Sequence, residues 1–116
     1  MISLEQLEQM FANIQDGPGW DMSRPMLWGY FFTDRSREKL ASLAARLDQD
    51  GYRFVDLFIP ELDDGAESYF FLHVEKAEAH TPVSLHQRNT QFYQLAQVCG
   101  VDSYDGVDVG PLPATP

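Results

Sequence analysis

Cysteine is nearly missing from this sequence. Cys99 stands alone, which excludes an internal disulfide and points to a reducing compartment. Basic residues are scarce as well: eight Lys and Arg face eighteen Asp and Glu, for a net charge of −10. Such a balance repels phosphate backbones and attracts cationic partners, although negative charge also serves solubility by itself. Long apolar runs are absent, so no membrane span is expected. The opening MISLEQLEQM has neither the basic start nor the apolar core of a secretory signal, and the cytoplasm is the expected location.

What is present is enough to fold. A chain of 116 residues that is 44% hydrophobic and 13% aromatic can bury a core without staples, and its length fits a single domain. Charge is uneven along it. Residues 48–78 hold nine acids against Arg53 and Lys76, a balance of −7, whereas residues 24–47 carry +3.

The pattern predicts a first helix over residues 1–15, capped by Ser3 with Gln6, with Leu4, Leu7, Phe11 and Ile14 on one face. DGPG ends it, and residues 16–25 read as a linker loop. A core over residues 26–110 then reads strand (MLWGYFFT, 26–33), helix with Leu40, Leu43, Ala44 and Leu47 inward, strand (52–60), strand (67–76), helix from Thr81, and a short last strand in SYDGVDVG (103–110). Asp34 or Ser36 caps the second helix, and DDG at 63–65 supplies hairpin turn chemistry. The proline-rich residues 111–116 read as a flexible tail. This β-α-β-β-α-β order predicts an α+β ferredoxin-like sandwich with a four-stranded antiparallel sheet, preceded by an extra N-terminal helix.

Strand alternation places Val55, Leu57, Ile59, Phe70, Leu72 and Val74 toward the helices, and Phe54, Asp56, Phe58, Tyr69, Phe71 and His73 opposite them. For the first strand it leaves open whether Trp28, Tyr30 and Phe32 or Leu27, Gly29 and Phe31 face outward. An aromatic sheet face suggests an RNA-binding module, which would report oligonucleotides through Trp28 fluorescence. The chain lacks the basic and glycine pattern of such modules and has the wrong charge. Either the first helix or a second subunit, the latter making a homodimer, is expected to cover these rings.

No motif supplies catalytic chemistry. Setting Gly106 or Gly65 as the glycine of a calcium loop leaves only Asp105 or Asp64 in a ligand position. A phosphate loop needs a helix after its glycines, and Gly106 leads only to the tail. His73, His80 and His86 lack metal-ligand spacing, and Cys99 sits on an apolar helical stripe. Neither catalytic residues nor a cofactor or metal is expected. The remaining candidates are acids for a contact surface with a basic partner: Glu61, Asp63, Asp64, Asp102, Asp105 and Asp108.

Three stretches together carry a resemblance: WGYFFTDRSREKLASLAARLDQDGYRFVD (28–56), TPVSLHQRNTQFYQLAQVCGV (81–101) and SYDG (103–106). Over roughly residues 25–110 the chain resembles the bacterial family called regulator of ribonuclease activity B, also known as the ribonuclease E inhibitor family. The resemblance implies a compact α+β sandwich and a non-catalytic role. It also implies binding to ribonuclease E, the large endoribonuclease that initiates RNA decay, through that enzyme's basic scaffold region. An acidic surface suits such a partner.

Overall fold

The computed structural model describes residues 2–17, 19–59 and 70–112. The element order is α1 (Leu4–Asp16), β1 (Met26–Asp34), α2 (Arg37–Gln49), β2 (Arg53–Phe58), β3 (Phe70–Glu78), α3 (Pro82–Cys99) and β4 (Ser103–Gly110). Local chemistry sets the helix ends. Ser3 and Gln6 close a capping box on α1, Ser36 rather than Asp34 caps α2, and Thr81 and Ser84 form a second box on α3. Asp34 instead accepts from the Ser36 amide at 2.7 Å and the Asp102 amide at 2.9 Å, which ties the end of β1 to the entry of β4. The hairpin turn expected at residues 63–65 lies outside the described residues.

The sheet is antiparallel with order β2-β3-β1-β4, the ferredoxin-like arrangement. Alternation along the central β1 turns Trp28, Tyr30 and Phe32, each 0% exposed, beneath the helices. Leu72 and Val74 of β3 and Tyr104 of β4 share that side. Leu40, Leu43 and Leu47 of α2 and Leu85, Phe92 and Ala96 of α3 complete the core. The first helix joins this layer: Leu7 is buried, Phe11 stacks on Trp28 at 6.0 Å, and the Ile2 amide donates to Tyr93 on α3. All three helices therefore lie on one face, and the other face carries Leu27, Gly29 and Phe31.

Two irregularities interrupt the ladders, and the first revises the expected sidedness of β2. The β2–β3 register shifts between Phe54 and Asp56, so Val55 becomes an extra residue that is 38% exposed. Phe54 moves to the helix side opposite Val74, and Ile59, expected inward, lies past the end of β2 and is 56% exposed. A bulge inserts a residue that strict alternation does not count. The second shift lies between Phe31 and Phe32 on β1, where Gly106 and Tyr104 are the partners and Asp105 is left over. Gly106 permits it with φ 157°, a conformation that residues bearing side chains rarely adopt.

Fully burying one large apolar side chain contributes roughly 1.5–3 kcal/mol, and cutting it back also leaves a cavity. Phe32→Ala is expected to cost about 3–5 kcal/mol in chemical denaturation, whereas Val98→Ala, at a position 75% exposed, should change stability by less than about 0.5 kcal/mol.

Candidate functional site

Polar chemistry gathers in two places, one on each side of the sheet. On the helix side, Glu78 near the end of β3 collects three donors. Tyr30 Oη donates to its Oε2 at 2.6 Å, Arg88 Nη1 donates to the same oxygen at 2.7 Å, and His80 Nε2 lies 3.2 Å away. His80 in turn meets Ser84 Oγ at 2.9 Å and sets its ring edge against Trp28 at 5.1 Å. Burial by itself would raise the Glu78 carboxyl. The hydrogen bonds from His80, Tyr30 and Arg88 outweigh it and hold the group at about 2, below its ordinary 4.5. Burial, with the hydrogen bond to Glu78, pushes the Tyr30 phenol far up, and burial raises Tyr52 to about 12. Every polar atom named in this group has a partner within it. Its arrangement rivets α3 to β1 and β3.

The uncovered face is different. His73 of β3 lies flat on Phe31 of β1 with centroids 4.4 Å apart, and Phe58 stacks on Phe71 at 5.6 Å. Arg53 of β2 donates to Glu75 Oε1 through Nε at 2.6 Å and through Nη2. Gly29, at the centre, faces Glu75 on one neighbouring strand and Asp108 on the other. A Cβ at Gly29 would fall 2.7 Å from His73 Nε2 and still nearer an Asp108 carboxylate oxygen. The His73 ring and the Asp108 carboxylate take up the space of the missing side chain, and beside them lies a cleft of about 230 Å³ bordered by Leu27, Gly29, His73, Glu75, Asp108 and Val109. His73 Nε2 is buried without a hydrogen-bond partner, and Asp108 has neither a hydrogen bond nor an ion pair among the described residues.

Asp102, Asp105 and Asp108 are all exposed along β4, an edge strand, and its approach. They do not share one side: Asp105 is the bulged residue, while Asp108 stands on the open face opposite Gly29. Glu61, Asp63 and Asp64 lie outside the described residues. The histidines are dispersed, with His73 on the open face, His80 buried under the helices and His86 half-buried on α3. Among the described residues no three His, Cys, Asp or Glu side chains are grouped to hold a metal ion, and no helix is long and apolar enough to cross a membrane. Cys99 is half-buried against the core, with Arg46 Nη1 3.8 Å from its sulfur. The tryptophan expected to report RNA binding is the wholly buried Trp28, shut away from any base.

Sequence reasoning missed Glu78 and Arg88 as partners, and Glu75 with Gly29 as walls of one cleft. The only signal in the sequence was a glycine amid the aromatic run of β1, a position where a strand glycine marks close approach of another group.

Replacing Glu78 by Gln leaves the Arg88 guanidinium short of its charge partner, and a loss of about 2–3 kcal/mol at neutral pH is expected in urea denaturation. Because the folded carboxyl is depressed, its contribution is complete above about 4.5 and is lost as pH falls toward about 2. Over that window the stability of the native chain should fall toward that of Glu78→Gln.

Neither the curated proteins nor the solved structures contain a match to this chain. A family profile described as regulator of ribonuclease activity B matches residues 4–109, nearly the whole length, including the N-terminal helix that the sequence resemblance left out. The chain belongs to the family of regulators of ribonuclease activity B.

Proposed function

We propose that this chain is a non-catalytic cytoplasmic regulator that acts as a single domain and modulates RNA decay by binding a basic segment of ribonuclease E. Family membership supplies the regulation of a ribonuclease and hence a protein partner. The observation that supports the binding mode is the exposure of Asp102, just before β4, and of Asp105 and Asp108 along that edge strand, in a chain of net charge −10. Asp102, Asp105 and Asp108, together with Glu61, Asp63 and Asp64, would form the contact surface. Exposed carboxylates of this kind steer a cationic segment and set its rate of arrival more than its final affinity. Direct RNA binding is disfavoured. The open sheet face holds Asp56, Glu75 and Asp108 against Arg53, which is already bound to Glu75, so a phosphate backbone would meet net negative charge.

Binding of the purified chain to the basic region of ribonuclease E should weaken steeply between low and high salt. Reversing Asp102, Asp105 and Asp108 to Lys together should weaken it by about tenfold or more at low salt. Binding that ignores both salt and charge reversal would sink this reading, as would RNA cleavage by the isolated chain.

A further inference from the structure

The cleft at Gly29 has a shape and a chemistry of its own, beyond a general negative surface. Its floor is backbone, because the glycine of β1 contributes no side chain. Leu27 supplies an apolar wall and His73, Glu75 and Asp108 the polar side, whereas the bordering Val109 pairs with Trp28 and turns its side chain toward the core. Two polar groups there lack hydrogen-bond partners among the described residues: the buried Nε2 of His73 and the exposed carboxylate of Asp108. A buried imidazole nitrogen left without a hydrogen bond costs free energy until something supplies one. The Asp108 carboxylate crowds the same point above Gly29 and shields that nitrogen. Access to the imidazole edge therefore requires the exposed Asp108 side chain, unpaired among the described residues, to turn aside.

We propose that this cleft is a receptor for one arginine side chain of the partner, with the guanidinium donating to Asp108 and to His73 Nε2 over the Gly29 floor. The proposal rests on the basic-partner reading above and narrows it to one residue type and one place. Charge excludes an anion, because Asp108 and Glu75 both border the cleft. A guanidinium offers several N–H donors in one plane, which suits a carboxylate and an imidazole on two sides of a flat floor, whereas an ammonium is a point donor. The His73 ring, held flat by Phe31, is a rigid wall for such a planar group. The face already holds one guanidinium this way, that of Arg53 on Glu75 in the adjoining strands. The volume of about 230 Å³ has room for the head of the side chain and part of its stem, with Leu27 beside the methylenes.

The test is titration of a short arginine–glycine peptide, and of the same peptide with lysine for arginine, followed by calorimetry at low salt. The arginine peptide should bind about tenfold more tightly than the lysine peptide. Asp108→Asn should weaken it about tenfold, and His73→Phe, which keeps the stack on Phe31 but removes the acceptor, should weaken it several-fold. Gly29→Ala should abolish it by filling the floor, and Gln91→Ala, exposed on α3, should leave it unchanged. Asp108 is an exposed position, so its variant remains informative should Gly29→Ala fail to fold. Salt-sensitive binding that Asp108→Asn and His73→Phe do not alter would overturn the receptor while leaving the basic-partner reading intact. Equal affinity for the two peptides would overturn the guanidinium assignment. No binding of either peptide would remove both readings. Self-association of the native chain that Asp108→Asn abolishes would give the cleft to a second copy and overturn the proposal.

Discussion

The ring of Phe92 on α3 meets Tyr30, Phe32, Tyr52 and Tyr104 at centroid separations of 5.0–5.4 Å, and the sandwich depends on that cluster. Each contact has a tilted or edge-on geometry of the sort that adds to burial, and together they clamp one helix to β1, to the entry of β2 and to β4. Once Tyr30 and Phe32 are committed to this cluster, the period of two in β1 leaves no choice for its other side chains. Leu27, Gly29 and Phe31 must face away. The uncovered face is therefore a by-product of the core, and the Gly29 cleft exists because the buried side was satisfied first.

Around that apolar cluster, polar groups fix orientation. Glu78 draws Tyr30, His80 and Arg88 together, so that a strand, a loop and a helix share one carboxylate. Tyr104 Oη donates to Asn89 Oδ1 at 2.6 Å and locks α3 to β4 in the same way. A partly buried carboxylate with three donors is costly to break but gives little advantage over apolar packing, so its value lies in holding one arrangement of helix on sheet. The same economy governs the sheet edges. β2 and β4 are each interrupted by a register shift and carry exposed aspartates, Asp56 on one and Asp105 and Asp108 on the other. Bulges and charges of this kind discourage strand addition by another chain. A partner reading the acidic surface would approach through side chains rather than by extending the sheet.

The two polar groupings lie on opposite sides of the sheet, and neither side satisfies every buried polar atom: beneath the helices Trp28 Nε1 and Asn89 Nδ2 have no hydrogen bond among the described residues. The helix-side network consumes its ionisable groups internally. On the open face Asp108 and His73 Nε2 are without partners among the described residues.

The sequence alone determined the elements, their order and the helix ends, because capping residues, glycine stops and the two hydrophobic periods act within a few residues. Ser3 with Gln6, Thr81 with Pro82, and the Leu40, Leu43 and Leu47 stripe needed no tertiary context. The acidic balance and the family likeness were legible for the same reason, being properties of the string of residues. Which side of β1 is buried was not legible, since both of its faces are rich in apolar residues and only packing against Phe92 and Phe11 distinguishes them. The inward placement of Val55 failed because a bulge shifts the period by one, and bulges arise from pairing with a neighbouring strand. Glu78 and Tyr30, or Gly29, His73 and Asp108, are distant in sequence and become neighbours only when antiparallel strands align. Contacts of that range are decided by register, which the folded sheet alone supplies.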